Sequence, residues 1–133
     1  NSMGLEHAGG TIDVERWNPV RFDGGLKVSS CLKDGPLTDL NLMFDPEYCD
    51  GQVCTRRGPD EQTLETFTQD VLALHVLSGN PIVDGVRLAF GDTAFIDGTN
   101  AALSLSEDDT VLEIMLTQMT TATGFWMLKM VSL

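Results

Sequence analysis

Fixed positive charge is what this chain has least of. Lys27, Lys33, Lys129, Arg16, Arg21, Arg56, Arg57 and Arg87 face 20 acidic side chains, for a formal net charge of −12. Binding to a phosphate backbone draws its energy from Lys and Arg displacing condensed counterions, so the scarcity excludes nucleic acid as a partner. An anionic membrane surface is disfavoured by the same repulsion. The acid excess instead suits a basic protein surface, or simply keeps the surface soluble.

Long apolar runs are also missing. A bilayer-spanning helix needs ~20 apolar residues, and the last stretch, Phe125 to Leu133, is short and carries Lys129. No basic segment followed by an apolar one opens the chain, so no signal peptide is expected. Asn1-Ser2 ahead of Met3 reads as a cloning remnant, and residues 1–10 as a flexible arm before a single globular domain over 11–133.

Cysteine is too sparse, and odd in number, for a disulfide framework: Cys31, Cys49 and Cys54 are the three. Reduced thiols in a cytoplasmic protein are the simplest reading. In an oxidising compartment Cys49 and Cys54 would close a short loop and leave Cys31 free. The same three, with His75, form a weak candidate zinc set, because their spacing is not that of a zinc knuckle. Asp45, Glu47 and Asp50 fail the calcium-loop pattern, with Asp50 where glycine is required and Arg56 where a bidentate Glu is required. Asp92 and Asp97 read as turn residues rather than cation ligands. No cofactor is expected.

Catalytic signatures are absent as well: no Gly-x-Ser-x-Gly, no phosphate-cradling glycine loop and no His-Glu-x-x-His. His7 falls in the presumed arm, which leaves His75 with Asp70 as candidates for acid–base work if there is any. A histidine satisfied by its structural neighbours is the plainer reading. Arg56-Arg57, the one basic pair, reads as a site for gripping a carboxylate or as a solvated pair balancing nearby acids. Met115, Met119, Met127 and Met130, with Trp126, make an adaptable apolar stretch in which Trp126 and Met130 would mark a subunit interface if exposed.

What is present patterns as a folded domain, with 42% hydrophobic and 21% charged residues. Ile12 and Val14 alternate with Asp13 and Glu15 as in a half-buried strand. Val20 and Phe22 resume the alternation, and Asp23-Gly24-Gly25 predicts a hairpin turn into a strand over 26–32. Residues 33–60 are punctuated by Asp-Gly, Gly-Pro and Asp-Pro steps and read as a long irregular loop with one short strand or helical turn. Leu64, Phe67, Val71, Leu74 and Leu77 recur at helical spacing between a capping Asp60 and Gly79-Asn80-Pro81, predicting one helix over about 60–78. Segments 82–90 and 93–96 read as a hairpin, 101–105 as extended or a short helix, and 107–121 as helix or strand, with the threonines favouring strand. The last stretch reads as a buried closing strand.

The expected fold is therefore α+β, a mainly antiparallel curved sheet packed on one principal helix. The expected function is a non-catalytic acidic binding module, self-associating or engaging a protein partner. The alternative is a small enzyme or small-molecule-binding protein with a pocket between helix and sheet.

Overall fold

The computed structural model describes residues 1–97, 100–119 and 127–132. Its order is β1 (Met3–His7), β2 (Gly10–Val14), β3 (Val20–Asp23), β4 (Ser29–Leu32), β5 (Asp39–Phe44), β6 (Cys49–Arg57) and β7 (Asp60–Leu64). Then follow β8 (Asp70–Ser78), β9 (Ile82–Val83), β10 (Val86–Arg87), β11 (Thr93–Asp97), β12 (Ala101–Leu105), β13 (Thr110–Gln118) and β14 (Met127–Ser132). There is no helix among the described residues, and none long and apolar enough to cross a membrane.

The chain falls into two compact units where one domain is expected: Asn1–Asp50 with Met119–Leu133, and Gly51–Gln118. The first holds two three-stranded sheets, ordered β2-β1-β4 and β3-β14-β5. The segment expected to be a flexible arm supplies β1, the middle strand of the first sheet, and begins β2. Met3 and Leu5 on β1 are 3% and 1% exposed, and with Val14 and Phe22 they form this unit's core. An arm cannot bury two large apolar side chains, and the two that alternate along β1 are why it docks.

The second unit holds two four-stranded antiparallel sheets, β11-β8-β13-β6 and β10-β9-β12-β7. Leu72, Leu74, Val76 and Val111 from the first sheet meet Leu64, Val83, Ala101, Leu103 and Leu105 from the second in one apolar cluster.

The α+β expectation is overturned by the segment on which it stood. Residues 60–78 form β7 and β8, and the intended helical stripe does not share a face: Leu64 and Leu74 are buried, whereas Phe67 and Val71 are 63% and 51% exposed. β8 is paired on both sides, by β11 and β13, and buries Ala73 as well as Leu72, Leu74 and Val76. A strand covered on both faces reads as a continuous apolar run, and such a run matches a helical template about as well as an extended one.

Two predicted hairpins are also corrected. The turn after β3 forms, with Asp23 Oδ1 accepting from Gly25 N at 2.7 Å and Asp23 O from Leu26 N at 3.0 Å. Yet β3 pairs with β14 and β4 with β1, so the flanking strands belong to different sheets. Likewise β11 pairs with β8, while the local hairpin is β9 with β10 about Asp84-Gly85. Residues 101–105 and 110–118 are strands, as the favoured reading of 107–121 anticipated, and the tail of that segment beyond 119 lies outside the described residues. The loop read over 33–60 contains β5 and most of β6.

The structure gives the acid excess a use that composition does not reveal. Six aspartates turn a carboxylate onto a backbone N–H at a loop: Asp23, Asp45, Asp70, Asp84, Asp92 and Asp109. Asp109 is the most committed, at 5% exposure. Its carboxylate accepts from Asn80 N and from Ser106 N, both at 2.7 Å, and its carbonyl accepts from Gly58 N at 2.9 Å. One residue thus ties together the β6–β7, β8–β9 and β12–β13 connections.

Candidate functional site

Glu113 is out of keeping with its strand. It interrupts the apolar run from Val111 to Leu116, and by register it lies opposite Leu74, on the side of β13 that also carries buried Val111. A carboxylate there needs a partner, since burying an unpaired charge costs several kcal/mol, about 3–5 when one member of a buried pair is removed. Arg56 on β6 supplies it: its Nε donates to Glu113 Oε2, with side-chain exposures of 27% and 14%. Arg56 also donates from a terminal nitrogen to Gln62 Oε1 on β7 at 2.7 Å. The other described ion pairs, Arg21–Asp50 and Lys33–Asp13, are far more exposed.

Three polar side chains from three strands therefore meet at the β6–β7 corner of the second unit, beside its apolar interior. Gln62 belongs to a second feature too. It lines a cleft of about 350 Å³ with Glu61, Thr63, Ile82, Ala102 and Ser104. That volume is within the range of about 300–1,000 Å³ common to small-molecule sites. Within it Ser104 Oγ donates to Glu61 Oε1 at 3.2 Å. The first unit has a cleft of about 430 Å³ lined by Asn1, Arg16 and Pro36 to Thr38, with the Arg16 guanidinium 4.4 Å from the Trp17 ring centre.

Of the residues singled out from sequence, Arg56 is in this cluster and Arg57 is not. Neighbours on a strand point to opposite faces, so the pair cannot grip one group together. His75 and Asp70 lie five residues apart on β8 and project to opposite faces for the same reason. Asp70 is spent locally, accepting from Phe67 N at 2.9 Å. His75 Nδ1 lies 2.8 Å from Thr93 Oγ1, and partial burial pushes its pKa below the ordinary value. Met130 is on β14 with its backbone opposite Val20 and Asn41, and Trp126 lies outside the described residues.

All three cysteines are free thiols. Cys49 and Cys54 sit on one strand, where five residues span about 16 Å, beyond any disulfide's reach. Cys31 is on β4, and no group of three metal-ligating side chains occurs among the described residues. Sequence reasoning missed Glu113 and Gln62. The available signal was the lone charge inside an otherwise apolar strand.

Short antiparallel strands in small packed sheets, with a polar cluster at a sheet corner, define an all-β protein of cupin-like type. Within that class the chain belongs to the HutD family, whose model matches residues 1–113. No curated protein and no solved structure matches it.

Proposed function

We propose that the protein is a non-catalytic binding protein whose second unit takes a small polar molecule at the cleft beside Gln62, with Arg56 and Glu113 behind it. The observation that carries this reading is the partly buried Arg56–Glu113 pair bonded to a residue of the cleft wall. A buried ion pair contributes little net stability over a well-packed apolar replacement, so its presence at a cleft supports a recognition role.

The chemistry selects a class of ligand. Arg56 is already neutralised by Glu113, Glu61 adds a carboxylate, and the whole chain carries −12, so a bare anion gains nothing on approach. A zwitterion or an amide, with N–H groups for Glu61 and an acceptor for Gln62, fits the donors and acceptors present. Ile82 and Ala102 give such a molecule an apolar edge to rest on. The cytoplasm is the proposed location, supported by the exposed thiols of Cys31 and Cys54, which suit a reducing compartment.

The test is a thermal-shift and calorimetric comparison of small zwitterions and amides, simple monocarboxylates, and amines. Members of the first group should raise the melting temperature of the parent protein and lose most of that effect in Arg56→Met and Gln62→Ala. Equal stabilisation by simple carboxylates, or ligands that act unchanged on both variants, would refute the assignment.

A further inference from the structure

β11 is the outermost strand of its sheet, and among the described residues no strand pairs with its far edge. Which of its backbone groups face outward follows from the bulge that precedes it. Gly91 N donates to Val76 O at 3.0 Å and Val76 N donates to Asp92 O at 2.9 Å, with Gly91 at φ 83°. Bonded and non-bonded pairs alternate along an antiparallel ladder, so beyond this point Ala94 with Leu74 and Ile96 with Leu72 are the bonded pairs. The N–H and C=O groups of Thr93, Phe95 and Asp97 are therefore turned to the open edge.

The side chains along this edge do nothing to protect it. Natural edge strands are blunted by lysine, proline, inward charge or very short length. Thr93–Asp97 has no proline and no charge before its last residue, and its central Phe95 is 73% exposed. Val71, half-exposed, shares the face of Phe95, because Phe95 lies opposite Ala73 and side chains two apart on β8 align.

We propose that β11 pairs antiparallel with β11 of a second copy of this chain, about a two-fold axis through Phe95, joining the two four-stranded sheets into one of eight strands. The register supports a second copy rather than an unrelated strand. Phe95 meets Phe95 of the partner copy as a bonded pair, and Thr93 falls opposite position 97, so the two acidic positions do not face each other. The remaining sheet edges are less suited to self-pairing. β2 carries Asp13, β3 Arg21 and Asp23, β5 Asp39, β6 Arg56 and Arg57, and β7 Asp60 and Glu61. β10 has two residues, and β4 offers Ser29, Ser30 and Cys31 in place of an aromatic. This pairing uses none of the residues of the proposed ligand site, so either reading can fail without the other.

Light scattering of the full chain over a dilution series tests it. A dimer is expected, with a dimer fraction that rises with salt, because two copies of charge −12 repel until screened. Phe95→Lys should give a monomer with unchanged circular dichroism and melting temperature. Phe95→Cys with Cys31→Ser and Cys54→Ser should form a reducible covalent dimer under mild oxidation, since the Cα separation of about 5.5 Å in a bonded pair suits a disulfide. A protein that stays monomeric at every concentration and salt, or a dimer that survives Phe95→Lys, would overturn the proposal.

Discussion

The two units solve the same problem with unequal means. The second assembles ten buried apolar residues from two four-stranded sheets and locks its loops through Asp109. The first has four, Met3, Leu5, Val14 and Phe22, ringed by half-buried Ile12, Val20, Leu26, Val28 and Leu37, and its β4 is exposed throughout. The difference teaches where this chain can hold a charge out of water. Arg56–Glu113 is placed in the unit that has stability to spare, whereas the ion pairs of the first unit, Arg21–Asp50 and Lys33–Asp13, stay at the surface. The Lys33 pKa is raised, chiefly by its hydrogen bond to Asp13, but exposure leaves that pair marginal for stability.

The contrast is most severely strained at Gly79. Its φ is 76°, and a Cβ there would lie 2.0 Å from Asp109 Oδ1. Gly79→Ala should destabilise the second unit by roughly 2–5 kcal/mol, from left-handed strain together with loss of buried carboxylate bonds. Chemical denaturation followed by hydrogen exchange at β8 and β13 reads the effect. Retained protection there would mean that the Asp109 clamp does not hold the unit.

Paired cavity mutations sharpen the comparison between cores. Leu74→Ala and Leu5→Ala each remove a fully buried leucine and should cost about 2–5 kcal/mol. Leu5→Ala should fall at the lower end, since half-buried neighbours can collapse onto the gap, and should lower exchange protection in β1, β2 and β4 while leaving β8 protected. Equal losses in both units would remove the asymmetry.

A smaller effect is expected at the ion pair. Arg56→Met strands Glu113 and should cost about 1–3 kcal/mol, most of which Arg56→Met with Glu113→Leu should restore. A double variant no more stable than the single one would show that the pair is itself a stabilising element.

The smallest effect is that of His75. Desolvation lowers its folded-state pKa below 6.5, so the unfolded chain binds more protons between the two values. Its contribution is full above about pH 6.5 and is lost as pH falls through the window below it. His75→Gln should flatten the stability profile of the parent protein in that window. An unchanged acid limb would place the titrating group elsewhere.

How much of this was legible in the sequence depends on whether a local rule was the deciding one. The alternation at Ile12 to Glu15 and at Val20 to Phe22, and the turns at Asp23-Gly24-Gly25 and Asp84-Gly85, all form, because turn chemistry and period-two patterning act within a few residues. Pairing does not. Whether β3 meets β4 or β14 is settled by contacts about a hundred residues away in sequence, which the turn between β3 and β4 does not encode. The segment 60–78 misled because β8 is apolar on both faces and Gly79-Asn80-Pro81 terminates a strand as readily as a helix. Of the site, Arg56 stood out as a rare cation, but Glu113 and Gln62 acquire meaning only when β13 and β7 bring them to it.

The central claim is that Arg56, held between Glu113 and Gln62, marks a ligand site. The Nε–H resonance of Arg56, assigned through Arg56→Lys in a protein carrying nitrogen-15 arginine, tests this most directly when followed during titration with a zwitterion or amide that stabilises the fold. The account predicts a resonance already protected from solvent exchange without ligand that shifts saturably as ligand is added. A ligand that binds while this resonance stays in place, or a resonance that exchanges freely with water from the start, would contradict it.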